Sequence, residues 1–208
     1  MSQPWTLNCQ VPLPGELDPE LNEFWVGNPW EIFRHNNLSA FERNRLFLNA
    51  DGRNFLDASF LSAADTDADS RAVVAADFNH DGRLDLVVRQ VGGGPLVLYE
   101  NQSPAARSLQ VTLRGRSGNR LGVGARLTAS VGGRDIVRDL FPANTYRSQW
   151  PSRVHFGLGD AERVDRLTVR WPSGDEQVLH DLPVDRHIVI EQGNSQFATV
   201  TPGERIPP

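Results

Sequence analysis

Ala72-Val-Val-Ala-Ala-Asp77-Phe-Asn79-His-Asp81-Gly82-Arg-Leu-Asp85-Leu-Val-Val88 is the stretch on which the reading of this chain turns. Its centre has the spacing D-x-N-x-D-G-x-x-D. Hard cations such as Ca²⁺ take about six to eight oxygen ligands. Asp77, Asn79 and Asp81 offer side-chain oxygens at positions 1, 3 and 5, the Arg83 carbonyl follows at position 7, and Asp85 stands at position 9. Gly82 at position 6 permits the sharp turn that wraps these donors around one point. Position 12 is Val88, where an EF-hand carries a bidentate Glu. The flanks are not helical, and the second, Leu84-Asp-Leu-Val-Val88, is β-branched and alternating and reads as a strand, so the whole segment is expected to be a β-hairpin stapled by Ca²⁺. Three spaced carboxylates in one loop repel each other without a cation. The competing reading is an Asp/Gly-rich turn that holds no ion.

Working outward, Arg45-Leu-Phe-Leu-Asn49, the Asp51-Gly52 turn and Phe55-Leu-Asp-Ala-Ser59 predict a second hairpin. Leu96-Val-Leu-Tyr-Glu100 follows the glycine run that ends at Pro95. Beyond Pro104 the period is two throughout. Strands are expected at 109–114, 124–131, 135–141, 153–156, 164–171, 176–179 and 187–191, with Gly132-Gly133 and Pro172-Ser-Gly174 at hairpin turns. Seven short strands at this spacing argue for a β-sandwich or barrel. The first 44 residues differ. Asp18-Pro19 with Leu21, Phe24 and Trp25, then Trp30 and Phe33, predicts short helical pieces that cover something apolar. Residues 193–208 are rich in Gly, Pro, Thr and Ser and are expected to be loose.

Composition narrows the function classes. A chain of 208 residues can bury a core without staples, and its single cysteine, Cys9, excludes both an internal disulfide and a thiolate metal cluster. Net charge is -5, which gives no reason to expect nucleic acid, although all 21 basic residues are Arg. No apolar run approaches the ~20 residues of a membrane span. Met-Ser-Gln-Pro-Trp5 lacks the basic and apolar regions of a signal peptide. The expectation is a cytoplasmic protein or one that has lost its leader.

Other groups with possible chemistry are scattered. Asp65, Asp67 and Asp69 alternate without a glycine at position 6, so a second weak cation site competes with a solvated acidic loop. Tyr146, Trp150 and Trp171 are the aromatic side chains that would stack a sugar if this were a carbohydrate-binding module; Trp171 also reads as a core or turn anchor. His155 with Asp160 and Glu162 can be drawn as an acid–base cluster, against a plain turn at Gly157-Leu-Gly-Asp160. Arg120 and Arg126 could hold an anion or pair with nearby carboxylates. There is no H-x-x-x-H metal pair, no Gly-x-Ser-x-Gly elbow and no phosphate loop.

Residues Arg45 to Asn101, through the Leu-Phe-Leu-Asn49 strand, Asp51-Gly52 and the Asp77–Asp85 loop, resemble an FG-GAP/VCBS repeat, the blade unit of integrin-like β-propellers. Residues 109–191 resemble an ASPIC/UnbV domain through Ser117-Gly-Asn-Arg-Leu-Gly-Val-Gly-Ala-Arg126, His155-Phe-Gly-Leu-Gly-Asp160 and Val169-Arg-Trp-Pro-Ser-Gly174. The order is that of the C-terminal end of bacterial proteins of the cartilage-acidic-protein type. The resemblance implies an all-β chain in which blade-like hairpins sit beside a sandwich. The divisions expected are a covering segment at 1–44, a blade-like unit at 45–103, the sandwich at 104–192 and a tail at 193–208. It also implies an extracytoplasmic setting, blades stapled by Ca²⁺, and a role in binding. The function expected is a non-enzymatic, Ca²⁺-stabilised module for protein interaction or adhesion, with a protein partner or self-association through an open blade edge. The alternatives are a Ca²⁺-dependent carbohydrate-binding module and an accessory or tailoring enzyme of natural-product biosynthesis.

Overall fold

The computed structural model describes residues 43–50, 52–66, 70–90, 96–116, 118–143, 145 and 148–201. The helical covering segment expected over residues 1–44 lies outside these, save for Arg43 and Asn44. Everything described is strand, turn or irregular chain, and no helix occurs among the described residues. The chain divides into two compact units, Met1–Val73 with Val87–Tyr99, and Val74–Leu86 with Glu100–Pro208.

In the first unit β1 (Phe47–Asn49) and β2 (Phe55–Asp57) form the expected antiparallel hairpin, with Leu48 opposite Leu56. Gly52 takes φ 79 in the connecting turn and donates its N–H to Asn49 Oδ1 at 2.6 Å. Ser59 accepts the Leu46 N–H at 2.9 Å and donates its hydroxyl to Asp57, which closes the base of the hairpin. That hydroxyl, with the Ser59 N–H and the Arg45 charge, holds the Asp57 carboxyl below its ordinary range. Phe47, Leu48, Phe55 and Leu56 are exposed on this hairpin.

β3 (Ser70–Ala76), β4 (Asp85–Gln90) and β5 (Leu96–Tyr99) follow as a three-stranded sheet in the order β3-β4-β5. The division between the compact units cuts β3 and β4. The turn between these strands groups with residues 100–208.

The second unit also contains β6 (Arg107–Arg114), β7 (Arg126–Val131), β8 (Arg134–Asp139), β9 (Val154–Gly159), β10 (Arg163–Arg170), β11 (Glu176–Pro183), β12 (Arg186–Glu191) and β13 (Phe197–Val200). They form two four-stranded sheets, β11-β10-β7-β8 and β13-β12-β6-β9. Every pairing is antiparallel except β12 with β6, which runs parallel with Ile188 beside Val111. One core cluster draws on both sheets. Leu109, Val111, Leu113, Phe156, Ile188 and Ile190 come from one, and Leu127, Ala129, Val164, Leu167 and Val169 from the other. Val164 apart, these are alternate positions of their strands, which is why a period of two was visible in the sequence.

All seven strands expected after Pro104 are present, and an eighth is added. The segment expected to be loose from residue 193 contributes β13, whose Phe197–Val200 pairs with β12 from Ile190 to His187. Phe197 packs against the core cluster. One apolar anchor and four residues of ladder therefore outweigh the polar composition around them.

The loop from Gly115 to Ala125 is held by its own asparagine. Asn119 Nδ2 donates to the Val123 carbonyl at 2.6 Å, and Val123 N–H returns to Asn119 Oδ1 at 3.0 Å. Gly122, at φ 64, lies against the core, where a Cβ would stand 2.9 Å from Leu113 Cβ. Trp171 is 3% exposed and gives its indole N–H to Gln177 Oε1 at 3.1 Å.

Candidate cation loop and the polar face beneath it

The turn between β3 and β4 is built from its own side chains. Asp77 Oδ1 accepts the Asp81 N–H at 3.0 Å, and Asp77 Oδ2 accepts the Gly82 N–H at 3.0 Å. Asn79 Oδ1 also accepts from Asp81 N–H, at 3.2 Å, and Asp81 Oδ1 accepts the Arg83 N–H at 2.8 Å. Two residues take left-handed backbone conformations, His80 at φ 63 and Gly82 at φ 86. These alternate with the side-chain donors and curl the chain around them. Asp85 is 1% exposed and ties the hairpin from behind, its Oδ2 accepting the Phe78 N–H at 3.1 Å and its Oδ1 the Asn101 N–H at 2.8 Å.

The donor set can be tested for a cation. An sp² oxygen has two acceptor positions. Asp77 Oδ1, Asn79 Oδ1 and Asp81 Oδ1 each accept one backbone N–H and so keep one position each for a hard ion. All donors are oxygens, which suits Ca²⁺ rather than a thiophilic metal. The Arg83 N–H, with Asn79 and the Arg83 guanidinium adding to it, holds the Asp81 carboxyl below its ordinary range, in the ionised form that such an ion needs. Arg83 Nη2 lies 2.5 Å from Asp81 Oδ2 and offsets part of the loop's negative charge. Among the described residues no three His, Cys, Asp or Glu side chains converge as a closed metal centre. Asp77, Asp81 and Asp85 are therefore not gathered around one point, and Asn79 and the Arg83 carbonyl would complete any set of oxygens in this loop.

The loop does not stand free. Ser108, Gln110 and Thr112 alternate along β6 with the core residues Leu109, Val111 and Leu113, so they project from the opposite face of the sheet. Ser108 and Gln110 are nevertheless buried, because the loop covers them. A Cβ on Gly82 would meet Ser108 Oγ at 2.9 Å. Gln110 Nε2 donates to Asp77 Oδ2 at 2.9 Å, and Gln110 Oε1 accepts from Arg153 Nη1 at 2.9 Å. His155, beside Gln110 in the register of β9, donates its Nε2–H to the Gly82 carbonyl at 2.8 Å. Burial pushes the His155 pKa down, partly countered by that carbonyl and by Asp77. On the other side His187 of β12 is paired with Gln110, and its Nε2 lies 2.8 Å from Thr112 Oγ1.

The remaining sequence candidates find other employment. His155 serves the loop rather than an acid–base pair with Asp160 or Glu162. Arg126 is forked onto Asp139, with Nε to Oδ1 at 2.7 Å and Nη2 to Oδ2 at 3.0 Å. Asp65 accepts from Arg43 at 3.0 Å; Asp67 and Asp69 lie outside the described residues, as does Tyr146. Trp171 is a core anchor and has no face to offer a sugar. Trp150 is half-buried, and its indole N–H has no acceptor. Sequence reasoning passed over Gln110 and Arg153. The signal available was the Ser-x-Gln-x-Thr run on a strand whose other face is wholly apolar.

Two family models match. One, described as an FG-GAP-like repeat, covers residues 29–88 and so includes the whole Asp77–Asp85 loop. The other, described as ASPIC and UnbV, covers residues 115–197. The chain carries an FG-GAP-like repeat followed by an ASPIC/UnbV domain. No curated protein matches it. The loop of the FG-GAP-like repeat is therefore seated on His155 of the ASPIC/UnbV domain. Gln110, its other support, falls in the stretch between the two matched segments. Among the described residues no helix is long and apolar enough to cross a membrane.

Proposed function

We propose that this chain is a non-enzymatic β module for protein interaction, stabilised by Ca²⁺ held on Asp77, Asn79, Asp81, the Arg83 carbonyl and Asp85. The observation that carries this reading is that three side-chain oxygens of one loop, Asp77 Oδ1, Asn79 Oδ1 and Asp81 Oδ1, each accept one backbone N–H and keep an acceptor position to spare. A cation there stiffens a loop that is already bonded to Gln110 and His155, so its effect reaches the ASPIC/UnbV sheet. We read the two four-stranded sheets as facing layers of a β-sandwich, because one core cluster draws on both. Partner binding or self-association is assigned to the FG-GAP-like part, where the β1–β2 hairpin presents Phe47, Leu48, Phe55 and Leu56 to solvent and where short open sheets offer unpaired edges.

Metal-stripped protein titrated with Ca²⁺ in a calorimeter should show one saturable site, lost in Asp81→Ala. At free Ca²⁺ ~1,000-fold above Kd the native state gains about 4 kcal/mol, read as a higher melting temperature. Light scattering with Ca²⁺ and with chelator reads the association. Equal melting temperatures in the two conditions would remove the Ca²⁺ half of the reading. A strict monomer in both would remove self-association.

A further inference from the structure

We propose that Gln110 decides which ion the cation loop takes, by withholding one oxygen of Asp77 so that Mg²⁺ competes with Ca²⁺ for the loop. The inference rests on the reading of Asp77–Asp85 as a cation site and adds the residue that tunes it. An sp² oxygen has two acceptor positions. Asp77 Oδ2 has both filled, by the Gly82 N–H at 3.0 Å and by Gln110 Nε2 at 2.9 Å. Asp81 Oδ2 is filled in the same way, by Asn79 Nδ2 at 2.8 Å and Arg83 Nη2 at 2.5 Å. Each of these two carboxylates keeps only its Oδ1 for an ion, where one backbone N–H leaves one position open. Neither can ligate through both oxygens, and position 12, where an EF-hand supplies its two-oxygen ligand, is Val88.

Ligand number separates the two ions. Ca²⁺ takes about six to eight oxygens and readily accepts two from one carboxylate, whereas Mg²⁺ takes six in an octahedron and keeps several of its waters. Carboxylates limited to one oxygen each deprive Ca²⁺ of ligands that Mg²⁺ does not need. The two restraints differ in origin. Asp81 is held from within its own loop, by Asn79 and Arg83. Asp77 is held in part from outside, by a side chain of β6. Gln110 is buried, and Arg153 Nη1 donates to its Oε1 at 2.9 Å. With that end engaged, Nε2 stays committed to Asp77. Gln110 thus acts on the ion only through Asp77, as a positioning residue.

The test uses the full chain, stripped of metal by resin and held at constant ionic strength. Ca²⁺ is titrated by calorimetry with and without millimolar Mg²⁺, for the parent, Gln110→Met and Ser108→Ala. In the parent, Mg²⁺ should weaken apparent Ca²⁺ binding severalfold. Gln110→Met keeps the length of the side chain and removes the donor, which frees a position on Asp77 Oδ2. The preference for Ca²⁺ over Mg²⁺ should then rise about tenfold. Ser108 lies against Gly82 and gives Asp77 no hydrogen bond, so Ser108→Ala should leave the preference unchanged. In the parent, the Gln110 side-chain NH₂ signals followed by NMR should stay protected from exchange when Ca²⁺ saturates the loop. If Gln110→Met fails to fold by circular dichroism, those signals and the Mg²⁺ competition decide. Equal changes for both ions in Gln110→Met, no competition by Mg²⁺ in the parent, or a Gln110 amide released on Ca²⁺ binding overturns the proposal and leaves the cation loop standing. No binding of either ion by the parent overturns the cation loop, and the proposal with it.

Discussion

Gln110 Nε2 donates to Asp77 Oδ2 across 2.9 Å, and this single amide joins the loop of the FG-GAP-like repeat to the polar face of the β13-β12-β6-β9 sheet. Its orientation is fixed from both ends, for the carboxylate accepts only a donor and Arg153 on the other side supplies only donors. Gln110→Glu replaces the donated N–H by a second carboxylate facing Asp77. Metal-free Gln110→Glu should lose about 1–3 kcal/mol at pH 7 in urea denaturation. The carboxylate introduced at position 110 faces a like charge, which raises its folded pKa, so the loss should shrink as pH falls through that value. A variant as stable as the parent at pH 7 would mean that this contact does not hold the loop.

Gly122 and Gly132 separate two costs of placing a side chain at positive φ. Gly132, at φ 54 in the β7–β8 turn, has nothing within 4 Å of where a methyl group would stand, whereas the same group on Gly122 meets Leu113 Cβ at 2.9 Å and Cδ1 at 3.1 Å. Gly132→Ala should cost only the backbone term, about 1 kcal/mol. Gly122→Ala should cost a further ~1–3 kcal/mol, because the core must give way. Equal midpoints in guanidinium would show that the Gly115–Ala125 loop yields freely.

The alternation of Leu109, Val111 and Leu113 made β6 legible as a strand, and the β pattern after Pro104 located the strands that follow it up to β12. The Asp77–Asp85 loop was legible because its spacing is local, with all donors within nine residues of chain. What lay on top of β6 was not. Ser108, Gln110 and Thr112 read as a solvent face, and only the approach of Gly82 and Asp77, far off in sequence, buries the first two. Arg153 was passed over for the same reason, since its partner Gln110 is 43 residues away. At β13 composition pointed the wrong way. A strand of four residues carries too little pattern to outvote the glycine and proline around it, and the open edge of β12 that recruits it exists only in the folded sheet.

Phe197 tests that last point. If β13 is fixed by its contact with the core, Phe197→Ala should destabilise the protein by roughly 1–3 kcal/mol, and amide exchange from Phe197 to Val200 should quicken by a matching factor. An unchanged midpoint, with exchange in these residues already at the rate of open chain, would return the segment to a loose tail.

His187 sets a pH dependence whose sign follows from its surroundings. Burial in the polar face, and after it the charge of Arg153, lower its pKa from 6.5 to about 4. The folded state thus prefers the neutral ring, whose Nε2 lies against Thr112 Oγ1. As pH falls below 6.5 the unfolded chain takes up the proton first. The contribution of His187 is therefore complete above pH 6.5, is lost progressively between pH 6.5 and about 4, and changes no further below that. Because the ring is half-exposed and solvent screens it, the full span should stay well below the roughly 3 kcal/mol of an unscreened shift. His155 is shifted in the same direction by its own burial, so the two are separated by difference. His187→Gln should flatten the stability profile between pH 6.5 and 4 relative to the parent, leaving the part that belongs to His155. In the parent, the His187 ring signal followed by NMR should remain that of the neutral form at pH 5.5, and a midpoint near 6.5 would show that the ring is open to water.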